Sequence, residues 1–306
     1  MRPRRRRRLK AIAVLPTLLT LGNLICGFAA IHFCLRAMYT LGAGVTPDFR
    51  LTLNNPYLEM WFPTHLAIGA GLIFLGMFFD MFDGWAARAT QRTGDFGGQL
   101  DSLADVVTFG VAPALLVIAV VTSAVPPAEL TMSPLASHWG GRIAWVCAAL
   151  YAACAALRLA RFNVENEHAE QAHMSFRGLP SPGAAALLAS LVILHETMGP
   201  LPGRWLVRSL PFWTGAAGLL MVSRIPYIHF ANAFLRGRRS LLHVMLIIAV
   251  LGLFIASPAL TSVAVLIGYV LSGPALWVWR RSRRAARPVI EAPRALAPQS
   301  PRPGDH

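Results

Sequence analysis

The sequence predicts an all-α, polytopic membrane helix bundle with about eight transmembrane helices. Three observations carry that prediction. Only 14% of the 306 residues are charged and 55% are hydrophobic, whereas a soluble domain carries about 25% charged residues. Apolar runs long enough to cross a bilayer recur along most of the length. The 28 Lys and Arg, set against 14 Asp and Glu, gather at the two ends and in a few short loops. Basic residues flank membrane spans in this way and favour anionic headgroups; the pattern argues against nucleic acid as a partner and for the lipid bilayer.

Taken in order, the spans fall at about 14–35, 64–88, 97–123, 140–163, 181–199, 211–227, 241–257 and 259–280. The first follows the basic head RPRRRRRLK, as a signal peptide would. Its apolar run from Leu15 to Leu35 is nevertheless long enough to span, and Ile25 before Cys26 is too large for lipoprotein-type cleavage, so it reads as a retained helix. Pro226, Pro258 and Pro274 interrupt or bound the later spans. Eight spans put both basic termini on one side, expected to be the cytoplasmic side of a bacterial inner membrane. The loops at 89–96, 158–180 and 228–240 lie with them, carrying Arg92, Arg158, Arg161, Arg177, Arg236, Arg238 and Arg239. The loops at 36–63 and 124–139 fall outside and are poorer in Arg, while Arg204 and Arg208 run against the rule.

Four segments follow: a basic cytoplasmic N-terminus (1–13), a catalytic membrane domain (14–199), additional C-terminal helices (200–284) and a disordered tail (285–306) rich in Pro and polar residues. Cys26, Cys34, Cys147 and Cys154 all sit in apolar stretches without a CxxC pair and read as buried small hydrophobes. His168 and His173 read as loop residues, not ligands.

The chemistry is concentrated in FFDMFDGWAARATQRTGDFGGQLDSLADVVTFG, Phe78–Gly110. Asp80, Asp83, Gly84, Ala87 and Arg88 share one helical face; Gly97, Asp101 and Asp105 share a face of the next helix. A short turn joins the two, which makes them antiparallel neighbours whose acids converge near the cytoplasmic ends. Asp95, in the turn, reads as a solvated or capping residue. Each carboxylate costs about 2.5–3.5 kcal/mol to insert, and four together repel one another. Pairing with Arg88 and Arg92 cannot absorb four acids, but divalent cations can, and oxygen-only ligands suit Mg²⁺ or Mn²⁺. Four Asp suffice for two such ions, which can bind a pyrophosphate and activate an attacking hydroxyl. Gly84, Ala87 and Gly97 serve either tight helix packing or the close approach of a base or phosphate; beside the acids and Arg88, ligand approach is favoured.

The full pattern, Asp80-x-x-Asp83-Gly84-x-x-Ala87-Arg88, eight residues, then Gly97-x-x-x-Asp101-x-x-x-Asp105, resembles the signature of the CDP-alcohol phosphatidyltransferases. Members of that family displace CMP from a CDP-linked lipid with an alcohol. The resemblance implies that Asp80, Asp83 and Asp101 bind metal, that Asp105 also reaches metal and acts as general base, and that Gly84, Ala87, Arg88 and Gly97 lie along the CDP portion. PTLLTLGNLICGFAA (Pro16–Ala30), LRLARFNVEN (Leu157–Asn166) and FRGLPSPGAAA (Phe176–Ala186) further resemble the bacterial phosphatidylserine synthase branch. Thr17 departs from it, standing where Asn follows Pro. This branch implies CDP-diacylglycerol and L-serine as substrates, and the family implies a homodimer. Arg158 and Arg161 then read either as a clamp on the serine carboxylate or as topogenic charges. Asn163 is a candidate for the amine or a phosphate. Pro180 and Pro182 shape the start of a helix, with Ser181 as cap or ligand. Glycerol 3-phosphate or inositol phosphate as acceptor, an Asp-rich intramembrane prenyltransferase and a cation transporter are the rival readings. A prenyltransferase typically carries two Asp-rich motifs, and a transporter gives no reason for Gly84 and Gly97.

Overall fold

The computed structural model describes residues 4–42, 62–90, 95–124, 139–168, 178–198, 200–225, 227 and 241–285. Among them every element is helical: α1 (Arg4–Gly42), α2 (His65–Thr90), α3 (Asp95–Asp105) and α4 (Ala112–Ser123), then α5 (Trp139–His168), α6 (Ser181–Thr197), α7 (Pro200–Val222), α8 (Leu241–Ala256) and α9 (Pro258–Ala285). A π-helical turn, Val106–Val111, joins α3 to α4, so the two form one rod and the helices make eight rods. Six rods are long and apolar enough to cross a membrane. Large exposed side chains such as Leu18, Phe28, Trp85, Leu157 and Phe212 stud their outer faces, as expected of surfaces that meet lipid.

The predicted spans match these helices closely, with one correction. The sixth was expected at 211–227, but α7 runs from Pro200 to Val222 and carries Pro211 in its interior. Pro200 and Pro202 occupy the first turn, where proline is tolerated. The stripe Gly203, Val207, Leu210, Thr214, Ala217 and Met221 is buried at helical spacing, while Arg204 and Arg208 stay exposed on the opposite face. Arg208 stacks over Trp205, 5.6 Å from its ring centroid. A smaller correction concerns His168, which is the last residue of α5 and not a loop residue. His173, Arg92, the loop 228–240 and the tail from 286 onward lie outside the described residues, and of the basic head residues 4–13 are helical.

α6 is the centre of the bundle. From Ala184 to Val192 it is buried without interruption, and α2, α4, α7 and α9 pack around it. Its Ala-rich sequence lets those neighbours approach closely. The segment before it is tied to α7: the Gly178 N–H donates to the Ile225 carbonyl at 2.8 Å and the Leu179 N–H to the Leu220 carbonyl at 3.0 Å. Gly178 has φ +92, and a Cβ there would strike the Met221 carbonyl, so only glycine fits. α8 lies at the periphery, packed on α9, with residues 245–256 exposed.

Prolines explain two irregularities. Pro113 has no N–H, so the Phe109 carbonyl four residues earlier loses its helical partner, and the ring crowds that carbonyl. The helix widens there into the π turn, and the Tyr151 hydroxyl from α5 donates to the Phe109 carbonyl at 2.9 Å. Pro274 likewise frees the Val270 carbonyl in α9, and the Tyr227 hydroxyl donates to it at 3.0 Å. Gly273 is what admits the Tyr227 ring, since a Cβ there would collide with it.

Candidate active site

The site begins with α1. Thr20, Asn23, Gly27, Ala30 and Cys34 form one buried stripe at helical spacing. α1 packs along α2 and also against α3 and the π turn. The tight contact is between Gly27 and Thr108, where a Cβ on Gly27 would collide with the threonine. Thr108 Oγ1 donates to the Asn23 carbonyl at 2.9 Å, and Gly76 of α2 leaves room for both residues. Close packing through small residues thus brings the polar side chains of α1 up against the acidic ones of α2 and α3.

Asp80 from α2 and Asp101 and Asp105 from α3 converge: each offers a carboxylate oxygen within 4.8 Å of the others. Asp83, one turn along α2, is buried just outside that group, with its Oδ2 3.0 Å from Thr20 Oγ1. The one Thr20 proton serves this carboxylate or the Pro16 carbonyl, also at 3.0 Å. Asp105 is buried and accepts a hydrogen bond from Asn23 Nδ2 at 3.0 Å. Sequence reasoning quoted the α1 segment but gave Thr20 and Asn23 no role. The signal was there, in two polar residues three apart in an apolar span with Gly27 next on the same face.

α2 and α3 were expected to be antiparallel neighbours. Their rods do meet, but through the π turn and α4, whereas α1 packs against both α2 and α3. A Cβ on Gly84 or on Gly97 would meet nothing within 4 Å. Among the described residues neither glycine serves packing, unlike Gly27 and Gly76. Ala87 and Arg88 belong to α2 and Asp95 begins α3, but their side chains lie outside the described residues.

On the other flank stands α5. Arg158 Nη1 donates to Ser181 Oγ at 2.8 Å, and the guanidinium lies within electrostatic reach of Asp105 and Tyr269. Its Nε–H is buried without a hydrogen-bond partner. Arg161, one turn on, is more exposed than Arg158. Asn163 Oδ1 accepts from Ser102 Oγ at 3.0 Å, linking α5 to the acidic helix. Pro180 is the residue before the first turn of α6 and Pro182 lies within that turn. The cap position is Pro180, not Ser181; the Ser181 hydroxyl is turned to Arg158.

The donor set suits a divalent cation. Asp80, Asp101 and Asp105 present hard oxygen ligands, and among the described residues no salt bridge neutralises them. Asp101 Oδ1 is buried and lacks a hydrogen-bond donor, a state a bound cation would relieve.

Comparison with known proteins gives this constellation its context. The sequence profile of the CDP-alcohol phosphatidyltransferases matches residues 13–223. The CDP-diacylglycerol–serine O-phosphatidyltransferase of Bacillus subtilis is 34% identical over 216 residues, 71% of this chain and 90% of that protein. Its namesake from Helicobacter pylori is 33% identical over 209 residues, 68% of this chain and 78% of that protein. The Methanocaldococcus jannaschii protein of the same name is 35% identical over 161 residues, 53% of this chain and 64% of its own length. With its acids, glycines and helices arranged as described, the chain belongs to the CDP-alcohol phosphatidyltransferase family.

Proposed function

We propose that this protein transfers the phosphatidyl group of CDP-diacylglycerol to the hydroxyl of L-serine, giving phosphatidylserine and CMP. The observation that carries the reading is the convergence of Asp80, Asp101 and Asp105 within 4.8 Å beside two glycines with open flanks. The names of the relatives support serine as the acceptor, as does a half-buried arginine whose Nε–H is buried and unused across from the acids.

In this reading Asp80, Asp83, Asp101 and Asp105 hold two divalent ions, Mg²⁺ or Mn²⁺, which when bound supply the positive charge that offsets the pyrophosphate. Gly84, Ala87, Arg88 and Gly97 flank the CDP moiety. Arg158 holds the serine carboxylate, with Ser181 fixing the guanidinium and Arg161 and Asn163 lining the approach. Asp105, oriented by Asn23, takes the proton of the serine hydroxyl. The hydroxyl oxygen forms a bond to the lipid-linked phosphorus as the bond to the CMP phosphate oxygen breaks, and CMP leaves. The Asp105 proton then passes to solvent.

Further assignments belong to the same proposal. Residues 14–199 form the catalytic part, residues 200–284 add helices to it, and the protein works as a homodimer in a bacterial inner membrane with both termini cytoplasmic. The family profile covers the first of these segments and runs on to residue 223, and the basic flanks of the chain support the orientation.

The deciding experiment is CMP release from CDP-diacylglycerol by the purified protein with serine, glycerol 3-phosphate and inositol phosphate offered in turn. Serine alone should support release. Release with another alcohol and not serine would reassign the acceptor, and no release with any of them would overturn the activity.

A further inference from the structure

The family profile ends at residue 223, yet α9 (Pro258–Ala285) packs against the central helix α6. Its contact lies at the first turn of α6, beside Ser181. A Cβ on Gly183 would stand 3.1 Å from Tyr269 Cε1, so the tyrosine ring lies directly on the backbone of that turn. Ser181, two residues earlier, is the hydroxyl that fixes Arg158, at 2.8 Å. Tyr269 is itself braced, with its ring centroid 5.8 Å from that of Tyr227. Tyr227 is held by its hydrogen bond to the Val270 carbonyl, 3.0 Å away. A continuous line of contacts therefore runs from the proline-freed carbonyl of α9 through two tyrosines to the start of α6 and the arginine.

We propose that α9 completes the acceptor side of the site, and that Tyr269 is a positioning residue holding Ser181, and through it Arg158, for the carboxylate of the acceptor. This rests on the reading of Arg158 as the acceptor's anion clamp. A guanidinium binds a carboxylate well only if its plane is fixed. One hydrogen bond, donated to Ser181, leaves the plane free to rotate about that bond, and a rigid first turn of α6 limits the excursion. This line of contacts comes near the acids only where the Arg158 guanidinium faces Asp105, so its loss should register mainly at the acceptor and not at the CDP-lipid.

The test is steady-state kinetics on the full-length protein in lipid nanodiscs, varying serine at saturating CDP-diacylglycerol and the reverse. Tyr269→Ala should raise KM for serine about tenfold and leave that for CDP-diacylglycerol within about twofold. Tyr269→Phe, which keeps the ring, should bring the serine KM back to within about threefold of the native protein. An unchanged serine KM in Tyr269→Ala, or an equal rise for both substrates, overturns the proposal. Arg158→Lys separates the layers. If it raises the serine KM while Tyr269→Ala does not, the role of α9 is wrong and the clamp stands; if it leaves the serine KM unchanged, the clamp falls and the proposal with it. Should Tyr269→Ala fail to fold, Gly183→Ala displaces the ring from the other side. It should raise the serine KM about threefold, and no change overturns the proposal.

Discussion

At Asp105 two demands meet, since the residue is proposed both to bind metal and to accept a proton. Asn23 Nδ2 donates to one of its oxygens at 3.0 Å, which fixes the carboxyl plane and leaves the other oxygen for chemistry. Asp105→Asn should keep CDP-diacylglycerol binding while kcat falls about 10²–10⁴-fold, the usual loss when a general base is removed; lipid binding and serine turnover measured in parallel separate the two. Loss of binding along with rate would make the residue chiefly a ligand. Asp80→Asn, Asp83→Asn and Asp101→Asn should each abolish nearly all turnover, as should chelation of divalent ions. Full turnover in excess chelator would refute the metal assignment. These acids were legible in the sequence because the motif is local, with fixed spacings that define helix faces. Thr20 and Asn23 were not. They lie 63 and 82 residues from the aspartates they bond, and a lone polar residue in an apolar span does not announce its partner.

At the scale of the element, the bend between α3 and α4 ties packing to the site. Pro113 and Tyr151 form a matched pair: the ring removes a donor and the hydroxyl replaces it. Tyr151→Phe leaves the Phe109 carbonyl bare and should destabilise the protein by about 1–3 kcal/mol, read as a lower thermal midpoint in detergent. In a Pro113→Ala background the backbone N–H returns, and the same tyrosine substitution should then cost less than about 1 kcal/mol. Equal costs in the two backgrounds would separate the hydroxyl from the proline. The helices themselves were readable from apolar length alone. The π turn was not, because a proline in a span says that a carbonyl is freed but not whether the helix bends, breaks or finds a new donor. α7 shows the same limit: its span was expected to begin at 211, and the buried stripe from Gly203 to Met221 carries the helix through Pro211.

Across the whole molecule, an even number of crossings is expected to return the chain to the side from which it started. Cysteines placed at Arg2 and Pro301 should both react with an impermeant reagent from the cytoplasmic side only. Cys26, Cys34 and Cys154 are buried and give little background. Labelling from opposite faces would make the number of crossings odd. The bundle as a class was legible because scarce charge and long apolar runs leave no other solution. Its arrangement around α6 was not, since a helix buried on all sides and one bathed in lipid have similar sequences. α6 and α8 are both apolar and short, yet one is the core and the other the rim. The two proline-freed carbonyls also set a timetable for biosynthesis. A chain delivered to the bilayer from its N-terminus presents Phe109 before Tyr151 has been made. The third rod thus meets lipid with a bare carbonyl, a state that hydrocarbon penalises, and gains by staying at the insertion machinery until the fourth arrives. Tyr227, by contrast, is synthesised before Val270, so the last helix finds its donor waiting. On this order of synthesis the third and fourth rods are expected to enter the bilayer together, and the last helix to dock onto a bundle already built.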